Sequence, residues 1–217
     1  MARPKKLPPP TVTTLLLVRH GNTSTTGKLL PGRAPGLHLA ETGVRQAERA
    51  GERIAELKRV DAIYTSPLER ARETAAPIAK ATGLKPKVAR GLLECDFGDW
   101  TGAELVKLMK LPEWRTVQRY PSGFRFPGGE SFTEMQVRIV SALDRVRAKH
   151  PGGTVVCVSH ADPIKAAMAH ALGTHLDLFQ RIIISTCSIS AIGFAGDGPM
   201  ALTVNSTGGA LSDLVPS

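Results

Sequence analysis

The sequence has 217 residues, of which 42% are hydrophobic and 22% are charged, and its formal net charge is +9. This length is enough for one sizeable hydrophobic core and too short for two. The composition is typical of a globular protein, and no stretch approaches the roughly 20 apolar residues that a membrane span needs. The positive charge favours an anionic partner, but it does not decide between nucleic acid and a small molecule.

The two ends of the sequence and its cysteines limit the domain organisation. Residues 1–10 (MARPKKLPPP) are basic and rich in proline, which predicts a disordered leader. They lack the apolar segment of a signal peptide, so a cytoplasmic location is expected. Residues 208–217 are expected to form a flexible tail, which leaves 11–207 as a single domain. The sequence has three cysteines, Cys95, Cys157 and Cys187, which lie far apart along the chain. Because the number is odd and the spacing is long, reduced thiols are expected rather than disulfides or a zinc site.

Continuous apolar runs alternate with segments of helical periodicity along the chain. In chain order, the pattern predicts a strand at 13–18, a helix at 42–58, a strand at 61–65, and a helix at about 67–82 that Ser66 caps and Gly83 ends. It continues with a helix at 131–149 that begins at Ser131, a strand at 154–159, a helix from Asp162, and two last strands at 182–194 and 201–205. This alternation predicts an α/β fold, a three-layer sandwich whose mostly parallel central sheet is flanked by helices.

Four basic side chains are expected to meet at one edge of this sheet. His20 and His160 directly follow predicted strands, and Arg70 lies just after a third. Active sites in such folds lie beyond the carboxyl ends of the parallel strands. Together with Arg19, these residues provide two guanidinium groups and two imidazoles, and the N-termini of the following helices add free N–H groups. That combination suits a doubly charged tetrahedral anion such as a phosphate group.

A histidine in such a site can attack phosphorus and form a phosphoenzyme, provided that its attacking nitrogen is neutral. Neighbouring arginines would lower the pKa of His20 and so keep it neutral. The reaction also needs a carboxylic acid that protonates the leaving alcohol and later activates water. Glu94 is the best candidate because it lies in a loop-like stretch just before a predicted helix start, although Asp96 and Asp99 are close enough to replace it.

The order of the motifs resembles that of the histidine phosphatase superfamily, in its phosphoglycerate mutase-like group and phosphatase branch. The hallmark Arg-His-Gly follows a predicted strand, as it does in that family. Six segments in the family's order cover most of residues 13–165, namely 19–21, 43–47, 66–75, 94–102, 127–131 and 158–160. Asn22 and Thr26 depart from the residues that many members carry at these two positions.

The resemblance implies a role for each residue of the predicted site. His20 would be the phosphorylated nucleophile and Glu94 the proton donor. The phosphoryl group would be held by three basic residues, Arg19, Arg70 and His160. Further substrate contacts are expected from four residues after the first strand: Gly21, Asn22, Thr26 and Arg33. For Arg33, a plain surface charge is an equal alternative. This route needs no metal and no other cofactor.

The same resemblance favours transfer of the phosphoryl group to water. Mutases of this family carry a longer insertion between the segments that hold Glu94 and His160 here, and a longer C-terminal tail. A short cap at about 100–130 suggests an open site, in which water can take the phosphoryl group. We therefore predict a phosphomonoesterase of the histidine acid phosphatase type, which hydrolyses a small anionic phosphomonoester through a phosphohistidine. A phosphoglycerate mutase-like phosphomutase is the first alternative, and a non-catalytic phospho-ligand binding protein is the second.

The predicted cap bears on the substrate and the partners. It interleaves basic and aromatic residues, Trp114 and Arg115 among them, which suits an anionic or ring-bearing substrate such as a nucleotide or a sugar phosphate. The aromatic residues could equally pack the cap itself. No nucleic-acid or membrane partner is expected. A homodimer is left open, since strand edges can pair in this family.

Overall fold

The computed structural model describes residues 11–196 and 198–209. The predicted leader at 1–10 and most of the predicted tail, residues 210–217, therefore lie outside the described residues. The strands are β1 (Thr13–Arg19), β2 (Ala62–Thr65), β3 (Pro86–Val88), β4 (Thr154–Ser159), β5 (Ile189–Ala195) and β6 (Gly198–Ser206). The α-helices are α1 (Glu41–Ala55), α2 (Glu69–Thr82), α3 (Leu105–Leu108), α4 (Pro112–Arg119), α5 (Phe132–Lys149) and α6 (Ala161–Ala171).

The six described strands form one sheet in the order β3-β2-β4-β1-β5-β6. The first four in this order are parallel to one another, whereas β5 pairs antiparallel with β1 and β6 pairs antiparallel with β5. The prediction of an α/β fold with a mostly parallel central sheet is thus confirmed. In the central pair, Arg19 of β1 lies opposite Ser159 of β4, so the residues that follow these two strands leave the sheet side by side.

Alternating side chains of the central strands face two different layers of helices. In β1, Leu15 and Leu17 pack with residues of α5 and α6, whereas Leu16 and Val18 pack with residues of α1 and α2. All four leucine and valine side chains are buried. A strand that is covered on both faces needs apolar residues at every position, which explains the continuous apolar run in the sequence.

Two helix ends follow their sequence signals closely. The Ser131 side chain accepts the Glu134 N–H before the first turn of α5, and the Glu134 carboxylate accepts the Ser131 N–H in return. The helix α2 ends at Gly83, which has a φ of 72°. Within the described ranges, none of the helices combines the length and the apolar character needed to cross a membrane.

Several boundaries differ from the prediction. The helix α1 ends at Ala55 rather than at residue 58, and β6 begins at Gly198 rather than at 201. The helix α2 begins at Glu69, so Ser66 lies outside it and does not cap it, and the Ser66 hydroxyl is hydrogen-bonded to Nε2 of His160. Residues 182–188 precede β5 as a loop rather than extending it, and the carbonyl of Ile184 accepts a hydrogen bond from the Arg19 side chain. The short strand β3 was not predicted, because its three residues are all exposed and carry no burial pattern. The contacts of Ser66 and Ile184 join segments that are distant in the sequence.

A close approach between the loop after β1 and the start of α1 fixes the backbone next to His20. A Cβ atom at Gly43 would lie 2.1 Å from the carbonyl oxygen of Asn22, and one at Gly21 would lie 2.5 Å from the carbonyl oxygen of Gly43. We expect Gly43→Ala to lower the free energy of unfolding by about 1–3 kcal/mol, because the loop backbone must move. Urea denaturation measures this change. Gly208→Ala is the control, since a Cβ there meets nothing within 4 Å; equal effects of the two substitutions would contradict the prediction.

Candidate active site

The five predicted core residues of the site gather at the carboxyl ends of the parallel strands. Arg19 ends β1, His20 follows it, and His160 directly follows β4. Arg70 lies in the first turn of α2, just after β2. A cavity of about 440 Å³ opens here, and Arg19, His20 and Glu94 form part of its wall. Arg70 and His160 are fully buried next to His20.

The imidazole of His20 is held in one tautomer. Its Nδ1 lies 2.8 Å from the carbonyl oxygen of Gly21, and because a carbonyl only accepts, Nδ1 carries the proton. Nε2 is then an acceptor, to which the Nε–H of Arg70 donates at 3.3 Å. Burial, followed by the positive charges of Arg70 and Arg19, lowers the pKa of His20 to about 3. The expected effect of the arginines is present, with burial as the larger cause. A neutral imidazole with its lone pair on Nε2 can act as a nucleophile.

Arg19 and Arg70 each have a buried N–H group without a partner among the described residues. Nη1 of Arg19 donates to the carbonyl of Ile184 at 2.7 Å, while its Nε has no partner. Nη2 of Arg70 donates to the carbonyl of Gly32 at 2.8 Å, while its Nη1 has no partner. Buried donors without an acceptor are unfavourable. An anion with several acceptor oxygens, such as phosphate, would satisfy both.

His160 lies beside His20 and is hydrogen-bonded to Ser66. The centroids of the two imidazole rings are 5.2 Å apart. Nε2 of His160 lies 2.8 Å from Oγ of Ser66, and its buried Nδ1 has no partner among the described residues. Burial, followed by the charge of Arg70, lowers the pKa of His160 well below its usual value, so its ring is neutral. Ser66 was expected to cap a helix, and its contact with His160 is a site feature that the sequence analysis missed.

Glu94 contributes a buried carboxyl group to the cavity wall. Its Oε1 accepts the N–H of Cys95 at 2.9 Å. Burial, followed by the negative charge of Asp162, raises the pKa of Glu94 to about 7, against the opposing effects of that N–H and of the two arginines. The group can therefore exchange a proton near neutral pH. Neither of the alternatives, Asp96 and Asp99, is part of the wall.

Two arginines hold the backbone of Glu94. Nε of Arg33 and Nη2 of Arg138 both donate to its carbonyl oxygen, at 2.9 and 3.2 Å. The Glu130 carboxylate joins them, accepting from Nη2 of Arg33 at 3.0 Å and from Nε of Arg138 at 2.7 Å. Arg33 also forms an ion pair with Asp96. The guanidinium group of Arg33 thus supports Glu94 instead of standing as a plain surface charge, and a substrate contact at Arg33 stays a prediction.

Of the three other predicted substrate contacts, only Thr26 lies on the cavity wall. The N–H of Gly21 donates to Oγ1 of Thr74 at 2.9 Å, which attaches the loop to α2. The side-chain amide of Asn22 donates to Oγ1 of Thr42 at 3.1 Å, which attaches it to α1. Gly21 and Asn22 thus hold the loop to the two helices instead of facing the cavity.

The sequence analysis missed five polar residues of the cavity wall: Thr23, Gln118, Asp162, Lys165 and Gln180. Nζ of Lys165 donates to Oδ1 of Asp162 at 3.3 Å and to Oε1 of Gln180 at 2.9 Å. The three-residue spacing of Asp162 and Lys165 in a helix that follows His160 would have suggested their pairing. Their position on the wall could not be read from that spacing.

The three cysteines are buried thiols, and no metal-ion site is found among the described residues. Cys95, Cys157 and Cys187 are buried and unpaired, as expected. Burial raises the pKa of Cys157 and of Cys187 to about 12, so both thiols are protonated. Across residues 11–196 and 198–209, no group of three or more His, Cys, Asp and Glu side chains is placed to hold a metal ion.

The ion-pair network behind Glu94 should contribute measurably to stability. We expect Glu130→Gln to lower the free energy of unfolding by about 1–3 kcal/mol, because Arg33 and Arg138 lose their shared carboxylate while remaining mostly buried. The melting temperature would fall by about 2–4 °C for each kcal/mol. Glu104→Gln removes the partner of the exposed Lys107 and serves as the control, with an expected change within about 0.5 kcal/mol. A Glu130→Gln protein as stable as this control would refute the assignment.

Comparisons with known proteins show the family of the chain. The profile of the histidine phosphatase superfamily (branch 1) matches residues 15–207. A Mycobacterium tuberculosis protein described as bifunctional is 35% identical over 202 residues, which cover 91% of this chain and 55% of that protein, so the chain spans about half of its length. Phosphoserine phosphatase 1 of Hydrogenobacter thermophilus is 34% identical over 183 residues, covering 82% of this chain and 85% of that protein.

A solved structure of a phosphatase has a fold similar to that of this chain. Phosphoserine phosphatase from Entamoeba histolytica, solved as a mutant in complex with phosphoserine, has a TM-score of 0.81 and 27% identity and covers 90% of this chain and 98% of its own. The chain belongs to the histidine phosphatase superfamily, branch 1.

Proposed function

We propose that this protein is a phosphomonoester hydrolase that acts on a small phosphorylated metabolite through a phosphohistidine at His20. One observation carries the proposal. The neutral Nε2 of His20 accepts a hydrogen bond from Arg70, Arg19 and Arg70 each keep a buried N–H group without a partner among the described residues, and Glu94 lines the same cavity as His20 and Arg19. A nucleophile, donors for phosphate oxygens and a protonatable acid are thus available in one place.

In the first step, Nε2 of His20 attacks the phosphorus atom of the substrate. The bond between phosphorus and the oxygen of the alcohol breaks, and Glu94 donates its proton to that oxygen as the alcohol leaves. Arg19 and Arg70 donate hydrogen bonds to the phosphate oxygens, and they stay charged throughout the reaction. His160, supported by Ser66, would contact the transferring group from its unpartnered Nδ1.

In the second step, a water molecule attacks the phosphohistidine. The Glu94 carboxylate, which lost its proton in the first step, accepts a proton from this water. The bond between Nε2 and phosphorus breaks, inorganic phosphate is released, and neutral His20 and protonated Glu94 are restored. The pKa of Glu94, about 7, suits both directions of proton transfer at neutral pH.

Water as the acceptor is supported by the cap. Residues 100–130 include α3 and α4, and Leu105, Trp114 and Gln118 from this segment line the cavity. Gln118 and Ile183 are exposed to solvent as well as part of the wall, so the cavity remains accessible to water. The names of the two phosphoserine phosphatases point the same way. The histidine acid phosphatase type and the cytoplasmic location stay predictions from the sequence.

A phosphate-release assay tests the proposal against its alternatives. Each member of a panel of phosphomonoesters, with 3-phosphoglycerate included, is incubated with the protein, and inorganic phosphate and isomerised phosphoglycerate are both measured. We expect one inorganic phosphate for each substrate molecule consumed. Isomerisation without phosphate release would instead make the protein a mutase. A phospho-ligand binding protein would release no phosphate and would bind its ligands equally well as His20→Ala.

A further inference from the structure

The cavity in front of His20 is larger than a phosphate group needs. Its volume is about 440 Å³, within the range of roughly 300–1,000 Å³ that is usual for sites of drug-sized ligands. Beyond the phosphate-binding end, apolar side chains from four chain segments line it. We call the set Leu29, Leu105, Trp114 and Ile183 the apolar wall.

We propose that the apolar wall is a subsite for the leaving alcohol, and that it selects phosphomonoesters whose alcohol carries an uncharged, ring-sized apolar group. This inference rests on the proposed hydrolase function. It adds the chemical class of the substrate to that function.

The apolar wall is held in place before any ligand binds. The N–H of Leu105 donates to the carbonyl of Lys28 at 2.9 Å, which ties α3 to the loop that carries Leu29. Trp114 stacks on Trp100, with ring centroids 6.4 Å apart and an interplanar angle of 24°. Since these side chains need little ordering on binding, apolar contact with them contributes more fully to affinity.

Ile183 adds exposed apolar surface to the cavity wall. Its side chain is 70% exposed although it is large and apolar, and it lies at the cavity rather than on a remote face. A single exposed isoleucine is ordinary on a protein surface. Here it continues a wall that already contains Leu29 and Trp114, so a ring placed in the cavity would remove apolar surface from water on several sides.

The charges of the cavity disfavour a second anionic group on the alcohol. Apart from Arg19 at the phosphate end, the cationic side chain on the wall is Lys165. Its Nζ is already paired with Asp162 and hydrogen-bonded to Gln180, and both partners are on the wall as well. A carboxylate on the substrate would have to share Lys165 with Asp162 and would face the negative charge of Asp162.

Three substrates with alkyl leaving groups separate the contributions of the phosphate group, a neutral ring and a second charged group to kcat/KM. Ethyl phosphate reports on the phosphate end alone, 2-phenylethyl phosphate adds a neutral ring, and phosphoserine adds a charged group. We expect kcat/KM for 2-phenylethyl phosphate to exceed that for each of the other two by at least about tenfold. In Ile183→Ser, the preference for 2-phenylethyl over ethyl phosphate should fall by about fivefold. Val137→Ser, which changes an equally exposed residue on α5 outside the cavity, should leave this preference unchanged.

The substitution Lys165→Met tests the charge argument in the same assay. If Lys165 is engaged by Asp162 and does not attract the carboxylate, Lys165→Met will change the preference for 2-phenylethyl phosphate over phosphoserine by less than about threefold, and a rise of about tenfold or more would contradict the charge argument. The proposal is overturned if the wild-type protein hydrolyses phosphoserine with a higher kcat/KM than 2-phenylethyl phosphate. It is also overturned if ethyl and 2-phenylethyl phosphate are hydrolysed equally well, which would leave the hydrolase function intact. Failure to release phosphate from any of the three, or from the wider panel, would instead overturn the hydrolase function itself.

Discussion

His20→Ala should abolish the phosphoenzyme and reduce kcat for phosphate release by about 10⁴-fold or more. The reason lies in the position of the imidazole. Its Nε2 is the nucleophilic atom beside the unpartnered donors of Arg19 and Arg70, and the neighbouring imidazole of His160 is engaged with Ser66. Alanine leaves the arginines in place, so phosphate binding should persist while transfer is lost.

The measurement is a rapid quench of the protein with a phosphorus-labelled substrate, followed by detection of acid-labile phosphate on the chain. Wild type should trap it and His20→Ala should not. His170→Ala is the matched control, because His170 is an exposed histidine near the end of α6 and outside the cavity wall. Trapped phosphate that persists in His20→Ala but disappears in His160→Ala would move the nucleophile to the second histidine.

The central part of the site was predictable from the sequence for a local reason. His20 and His160 each follow a continuous apolar run directly, and such runs indicate buried strands of one sheet whose carboxyl ends meet at the same edge when they are parallel. The pairing of β1 with β4 places the residues just after them side by side. Arg70 required only one further step, the turn from β2 into α2. The family resemblance then supplied the roles.

What the sequence could not predict depends on contacts between distant segments. Arg33, Glu130 and Arg138 look like separate surface charges along the chain, and only folding brings them to the carbonyl of Glu94. The same holds for Ser66, whose sequence context is typical of a helix cap. Its contact with His160 spans the pairing of β2 with β4, which no local pattern encodes.

The second large effect is expected at Glu94. Glu94→Gln keeps the shape of the side chain and an oxygen that can accept the Cys95 N–H, but it cannot donate a proton as an acid does. We expect kcat/KM for an alkyl phosphate to fall by about 10²–10⁴-fold. The loss should be much smaller for p-nitrophenyl phosphate, because nitrophenolate leaves without needing a proton. Asp99→Asn is the control, since Asp99 lies outside the cavity wall.

The pH dependence follows from the two shifted pKa values of the free protein. His20 must be neutral to attack, so activity should rise with pH through its pKa of about 3. Glu94 must be protonated to donate, so kcat/KM for an alkyl phosphate should fall as pH rises through about 7. The expected profile is a bell with its maximum on the acidic side of neutrality.

The decrease of kcat/KM at high pH identifies the residue that donates the proton, provided that the effect of the substrate's own titration is removed. A phosphate monoester loses its second proton near pH 6, and this change is common to every variant. Dividing the wild-type profile by the Glu94→Gln profile removes it, and the ratio should decline through about pH 7 because only the wild type loses a donor there. A ratio that stays constant from pH 5 to pH 9 would mean that Glu94 does not donate the proton. A ratio that is constant for Glu94→Gln but declines for Asp99→Asn would assign the role to Asp99, although it lies outside the wall.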